Sequence, residues 1–168
     1  MTALVCHPQT PSAAVSGVGV RIVRTRASLA LEYAIEGRIE ELRIPAPRSP
    51  RIGRELWKHT CCEVLVGRSG SPAYLEFNFS PSGEWAGYAF ERYRNGAPFD
   101  ASDPKIGVRS SPARLELDAS IQVQPGKLVL ALSAVIEHLD GRISYWALRH
   151  PPGKPDFHHP QGFALELD

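Results

Sequence analysis

The sequence predicts an all-β chain, an antiparallel β-sandwich of jelly-roll-like form, and three observations predict it. Apolar residues recur with a period of two, which is the spacing of a strand with one buried face. Turn-forming residues separate these stretches at short intervals. Glycine (14) and proline (15) together make about 17% of the residues, against a usual background of roughly 12%, which favours turns over long helices. Short strands punctuated by regular turns are the pattern of a sandwich rather than of a parallel α/β fold.

The elements follow in order. Val18, Val20 and Ile22 alternate with Gly19 and Arg21, and Leu29, Leu31, Tyr33 and Ile35 alternate with Ala30, Glu32 and Ala34, so the two stretches read as a hairpin. Arg43 to Arg54 holds Pro45, Pro47 and Pro50 among its arginines, a composition suited to an extended surface loop. Further strands are expected at Cys62 to Val66, Tyr74 to Phe79, Trp85 to Phe90, Leu115 to Val123, Leu128 to Ile136, Ile143 to Leu148 and Phe163 to Leu167, roughly nine or ten in all. The turn signals include Ser80-Pro81-Ser82-Gly83, Asn95-Gly96, Pro125-Gly126 and Asp140-Gly141. With 168 residues and no internal repeat, residues 1–168 are read as one domain.

Composition narrows the function. Nineteen basic and eighteen acidic residues leave a formal charge of +1, which predicts no nucleic-acid partner and no membrane-surface field. Cys6, Cys61 and Cys62 are an odd number, and the adjacent pair would point to opposite faces of a strand, so they read as reduced thiols. Met1 to Ala14 lacks the basic start and apolar stretch of a secretory signal. No apolar run reaches the ~18 residues of a membrane helix. The expected location is cytoplasmic.

The phase of the strands selects candidate site residues. Leu75, Phe77 and Phe79 share one side of their strand, which puts Tyr74, Glu76 and Asn78 on the other. Cys62, Val64 and Val66 likewise leave Glu63 outward. Paired as a hairpin, the two strands bring Glu63, Glu76 and Asn78 onto one exposed sheet face, where they are either ordinary solvent-facing residues or a polar site.

Glu55-Leu-Trp57-Lys-His-Thr-Cys-Cys-Glu63-Val-Leu-Val, followed by Tyr74-Leu-Glu76-Phe-Asn78-Phe-Ser80-Pro81-Ser-Gly83-Glu-Trp85, resembles the bacterial DOMON-like group, which is related to the family 9 carbohydrate-binding modules. The shared pattern is a tryptophan, an acidic residue six positions on in a strand, and an aromatic-rich strand ending in a Pro-x-Gly turn. Ser144-Tyr145-Trp146-Ala-Leu-Arg149-His150-Pro-Pro-Gly-Lys154-Pro-Asp156-Phe-His158-His159 resembles the end of the same group. The resemblance implies a jelly roll that binds a sugar or haem and has no catalytic activity of its own. It implies a terminal sugar held between two tryptophans, with Trp57 at the first position and Trp146 chosen for the second. Glu63 matches the acidic position, and Glu76 and Asn78 are the hydroxyl partners beside it. Ser80 stands where many of the group carry asparagine, a departure in the polar half of the site.

The sugar reading is chemically sound on its own terms. The C–H face of a pyranose packs on an aromatic plane, and its hydroxyls take charged or amide partners. The expected partner is a small sugar or oligosaccharide, with the protein partner unknown. The alternative is an interaction or structural module without sugar binding, and each tryptophan has core packing as its bland reading. A haem held by a Met/His pair is disfavoured because Met1 is the one methionine and sits at a chain terminus, so no cofactor is expected. Metal is not expected either: His150, Asp156 and His158 lack a familiar zinc spacing. Those residues and Lys154 lie in a loop stiffened by Pro151, Pro152, Pro155 and Pro160, and read as a structural clasp or as a ligand rim. Glu63 and Glu76 also admit a glycosidase-like pair, but no catalytic residue is assigned and a non-enzyme is expected.

Overall fold

A computed structural model describes residues 1–168. The chain is all-β, with short 3-10 turns as its only helical elements. The strands are β1 (Thr2–Cys6), β2 (Val15–Arg24), β3 (Ser28–Gly37), β4 (Arg51–Ile52), β5 (Cys61–Gly67), β6 (Tyr74–Phe79), β7 (Glu84–Arg92), β8 (Asn95–Phe99), β9 (Gly107–Ser111), β10 (Arg114–Gln122), β11 (Leu128–Glu137), β12 (Ile143–Ala147) and β13 (Leu165–Leu167). Pairing runs β4-β7-β6-β5-β11-β12-β1-β2-β3-β10-β9, with β8 added to β7 and β13 to β11. The sheet is mixed, because β4 joins β7 in parallel whereas the other pairs are antiparallel. No helix is long and apolar enough to cross a membrane.

This continuous path curls through β1, which pairs with β12 on one edge and β2 on the other. Its two halves therefore bury their apolar sides against each other. Val18, Val20, Leu29, Leu31, Ile35, Leu115 and Leu117 from one half and Val64, Phe77, Phe79, Leu130, Leu132 and Ile136 from the other belong to a single core. Tyr33 crosses that core: its hydroxyl, fully buried, donates to the Glu63 carbonyl at 2.6 Å.

The alternation read from the sequence holds in β2, β3, β5 and β6, except that Leu75 of β6 is exposed. The short strands β1, β4, β8 and β9 were not expected, since each owes its conformation to the neighbour it pairs with more than to its own alternation. Asn95-Gly96, expected as a turn, opens β8, and the turn falls two residues earlier at Tyr93 and Arg94. Arg94 takes the left-handed conformation there (φ 54°), an uncommon one for a side chain of this size.

A second correction concerns the outer face of β5 and β6. Glu63, Glu76 and Asn78 do share it, but it is not exposed: the three are 2%, 6% and 0% accessible. The 3-10 turn Leu56–Lys58 and the segment between β12 and β13 cover it.

Candidate ligand-binding site

Between these coverings and the sheet lies a cavity of about 520 Å³. Its floor is the outer face of β5, β6, β7, β11 and β12. Glu63 stands opposite Asn78 across the β5–β6 pair, and Glu76 stands opposite Tyr88 across β6–β7. Glu63 and Glu76 both line the cavity. Ser133 on β11 donates to Glu63 Oε2 at 3.2 Å, and the other carboxyl oxygen has no partner in the protein. Glu76 accepts no close hydrogen bond from the protein, and its nearest ion-pair partner is His158 Nε2 at 3.5 Å. The Asn78 amide, wholly buried, leaves both Nδ2 and Oδ1 unpartnered.

The walls are aromatic. Trp57 is positioned by its neighbour Leu56, which is buried against Cys61 and Ala86, leaving the indole 40% accessible and edge-on to Tyr88 at 5.8 Å. The segment leading into β5 is fastened by Thr60, whose hydroxyl donates to the Arg43 carbonyl at 2.8 Å and accepts from the Glu137 amide at 3.1 Å. Phe90 continues the β7 wall; Tyr145 and Phe157 meet edge to face at 5.8 Å on the other side.

The covering segment is clasped at several points. His150 Nε2 donates to the Val5 carbonyl at 2.8 Å. Asp156 accepts from Arg94 Nη2 at 2.7 Å, from the Tyr93 hydroxyl and from the His158 amide. The Tyr74 hydroxyl accepts from the Arg94 amide at 3.3 Å and sits 2.8 Å from His158 Nδ1. With Tyr74 donating to Nδ1, the proton of a neutral His158 is on Nε2, facing Glu76.

Burial governs the electrostatics. It drives the Glu63 carboxyl well above its ordinary range, and the charge of Glu76 adds to the effect. It raises Glu76 to about 7, against the opposing influence of Asn78 and Arg94. His158 is pushed down to about 4 by burial and by the Arg94 charge. Burial would raise Asp156, but the bonds from Tyr93 and Arg94 outweigh it and hold the carboxylate low. Burial thus favours the neutral form of all three groups on the floor, the carboxyls of Glu63 and Glu76 and the imidazole of His158.

Of the residues singled out in the sequence, Trp57, Glu63, Glu76, Lys154 and His158 line the cavity. Asn78 lies on the same sheet face but does not reach the lining, and His150 and Asp156 serve as clasps. Trp146 does not join them: it faces the core at 6% accessibility, with Nε1 donating to Ser144 Oγ. The reason is its register opposite Ala134, whose small side chain leaves room for an indole on the core side. The neighbouring Tyr145, opposite Val135, is the aromatic that reaches the cavity. Tyr88 and Phe90 were legible in principle, since Trp85 facing the core puts Ala86, Tyr88 and Phe90 on the other side of β7. Arg94 carried no such signal, because the hairpin turn alone places it.

No family model matches the chain, and no curated protein is significantly similar to it. A solved structure from Bacteroides uniformis, of a proposed carbohydrate-binding protein, is similar in fold with a TM-score of 0.66 at 18% identity, covering 95% of this chain and 82% of that one. At that identity the likeness concerns the fold.

Proposed function

We propose that this chain is a non-catalytic carbohydrate-binding domain of the DOMON-like type, its curled sheet being the sandwich of a jelly roll. The observation that carries the reading is the cavity itself: two buried carboxyls on its floor and Trp57, Tyr88, Phe90, Tyr145 and Phe157 around it. Aromatic faces suit the C–H face of a sugar ring, and the unpartnered carboxyl oxygens suit its hydroxyls. The similarity in fold to the Bacteroides uniformis protein supports the same reading. A volume of about 520 Å³ falls within the usual range of small-ligand sites, roughly 300 to 1,000 Å³. In this reading Trp57 is the stacking platform, Glu63 and Glu76 take hydroxyl protons, and Lys154 and His158 form the rim. No cofactor is needed. The buried thiols of Cys61 and Cys62, both raised by burial, are at home in the reducing cytoplasm.

A hydrolytic role is less well served. Glycoside hydrolysis by a carboxyl pair requires one acid and one ionised nucleophile or base, with the two environments pushing their affinities apart. Here burial pushes both in the same direction.

Isothermal titration against a panel of mono- and oligosaccharides tests the reading. Trp57→Ala is expected to weaken binding by about tenfold or more, as loss of one stacking contact worth about 1.4 kcal/mol requires, with an unchanged circular dichroism spectrum. Absence of binding heat from every sugar at millimolar concentration would remove the carbohydrate reading, and turnover of aryl glycosides would remove the non-catalytic one.

A further inference from the structure

Acidic side chains in a protein interior are ordinarily paired with a cation or satisfied by several donors. Neither holds on the floor of this cavity. Glu63 receives one hydrogen bond, from Ser133. Glu76, which is more than nine-tenths buried, has the Nε2 of His158 at 3.5 Å and the amide of Asn78 as its polar neighbours, and no cation paired to it. The nearby guanidinium of Arg94 is already engaged by Asp156 and Tyr93. Lys154 makes no ion pair and stands exposed at the rim, where water screens its charge. The free amide of Asn78 lies on the same sheet face but does not reach the lining, so the cavity presents two carboxyls with few donors beside them, and aromatic rings line its walls.

From this geometry we infer that the ligand carries an ammonium group, as an amino sugar does, seated beside Glu63 and Glu76 among the rings of Tyr88, Phe90 and Tyr145 that line the cavity. The inference deepens the carbohydrate reading and rests on it for the ring platform at Trp57. Three features of the site converge on it. An ammonium supplies several N–H donors at one point, which matches two carboxyl groups converging from adjacent strands. Aromatic rings attract a cation through their negative faces, and most strongly where water is excluded. A neutral hydroxyl meets the hydrogen-bonding need but leaves the charge of an ionised Glu76 uncompensated in a buried site.

A proton balance follows. Glu63 and Glu76 lie diagonally on adjacent strands, with Cys61, Tyr74, Tyr88, Arg94 and His158 as titratable neighbours and Tyr145 and Lys154 on the cavity lining. An ammonium settling beside Glu76 favours its ionised form, so binding at neutral pH releases a proton from Glu76 to the buffer.

The test is titration calorimetry of the full chain with glucosamine, glucose, N-acetylglucosamine and cyclohexylamine, each in two buffers of different ionisation enthalpy near pH 7. Glucosamine is expected to bind at least about tenfold more tightly than glucose or N-acetylglucosamine, with a heat that depends on the buffer as proton release requires. In Glu76→Gln the preference falls toward parity and the buffer dependence disappears. Equal or weaker binding of glucosamine relative to glucose in the native protein overturns the ammonium site and leaves the carbohydrate reading standing. Binding of cyclohexylamine with no sugar bound does the reverse. Inertness toward all four overturns the inference.

Discussion

Glu76 and His158 sit 3.5 Å apart, and burial displaces their titrations in opposite directions, with opposite consequences for stability. Glu76 moves from 4.5 to about 7. The unfolded carboxyl loses its proton first as pH rises, so the folded state is progressively disfavoured between those two values. His158 moves from 6.5 to about 4. The unfolded imidazole gains its proton first as pH falls, so the folded state is disfavoured in the descending direction over that window. At 1.36 kcal/mol per unit each effect is roughly 3 kcal/mol. The two oppose one another between pH 4.5 and 6.5, where the stability of the native protein is expected to change little on their account. Glu76→Gln removes one of them. The variant should be more stable than the native protein by about 2 to 3 kcal/mol at pH 8 and nearly equal to it at pH 4.5, as read from urea midpoints at each pH. A difference that does not vary with pH would show that the carboxyl titrates in its ordinary range.

At the scale of elements, the segment between β12 and β13 is a covering strap whose middle is held by one hairpin. Asp156 receives Arg94 and Tyr93 from the β7–β8 turn, and the left-handed backbone of Arg94 aims that pair at it. Asp156→Ala removes both bonds and the acceptor for the His158 amide. It is expected to increase amide hydrogen exchange about tenfold or more in residues around Phe157 and His158 while leaving β5 and β11 protected, because a local clasp of about 1.5 to 3 kcal/mol is lost. Sugar affinity should fall together with the protection, since Phe157 and His158 line the cavity. Unchanged exchange would mean that the prolines alone hold the strap. The proline-stiffened loop was legible in the sequence, and so were its clasp-forming histidine and aspartate types. Their partners were not, because Arg94 and Val5 lie far away along the chain and no local pattern links them to Asp156 and His150.

At the scale of the molecule, most of the fold was legible because a strand with one apolar side announces which way it faces. The odd positions of β10 and Phe77 and Phe79 of β6 are core residues as their alternation requires, while Leu75 on the same side of β6 stays exposed, and Glu63 and Glu76 fall on one face for the same reason. Exposure of that face was misjudged, since alternation gives direction but not what packs on top. β12 marks the other boundary of legibility: in Ser144-Tyr145-Trp146 two aromatics stand side by side, and either phase puts one inward. The register with Ala134 and Val135 decides it.

The two sides of β12 therefore answer different questions, and substitutions at adjacent positions should separate them. Trp146→Phe shrinks a buried ring opposite Ala134 and removes the donor to Ser144. A partly filled core site of this kind costs about 1 to 3 kcal/mol. Sugar affinity, measured where the variant is fully folded, should stay within about twofold of the native value, because the indole does not reach the cavity. Tyr145→Ala removes a cavity wall and the edge contact with Phe157. Its side chain is half-buried and outside the main core, so it should cost less stability and weaken binding by about fivefold or more, within the 0.5 to 1.5 kcal/mol of an aromatic contact. If Trp146→Phe instead abolished binding in a folded protein, the ligand would have to reach the core side of the sheet. The cavity on the outer face would then no longer be the binding site.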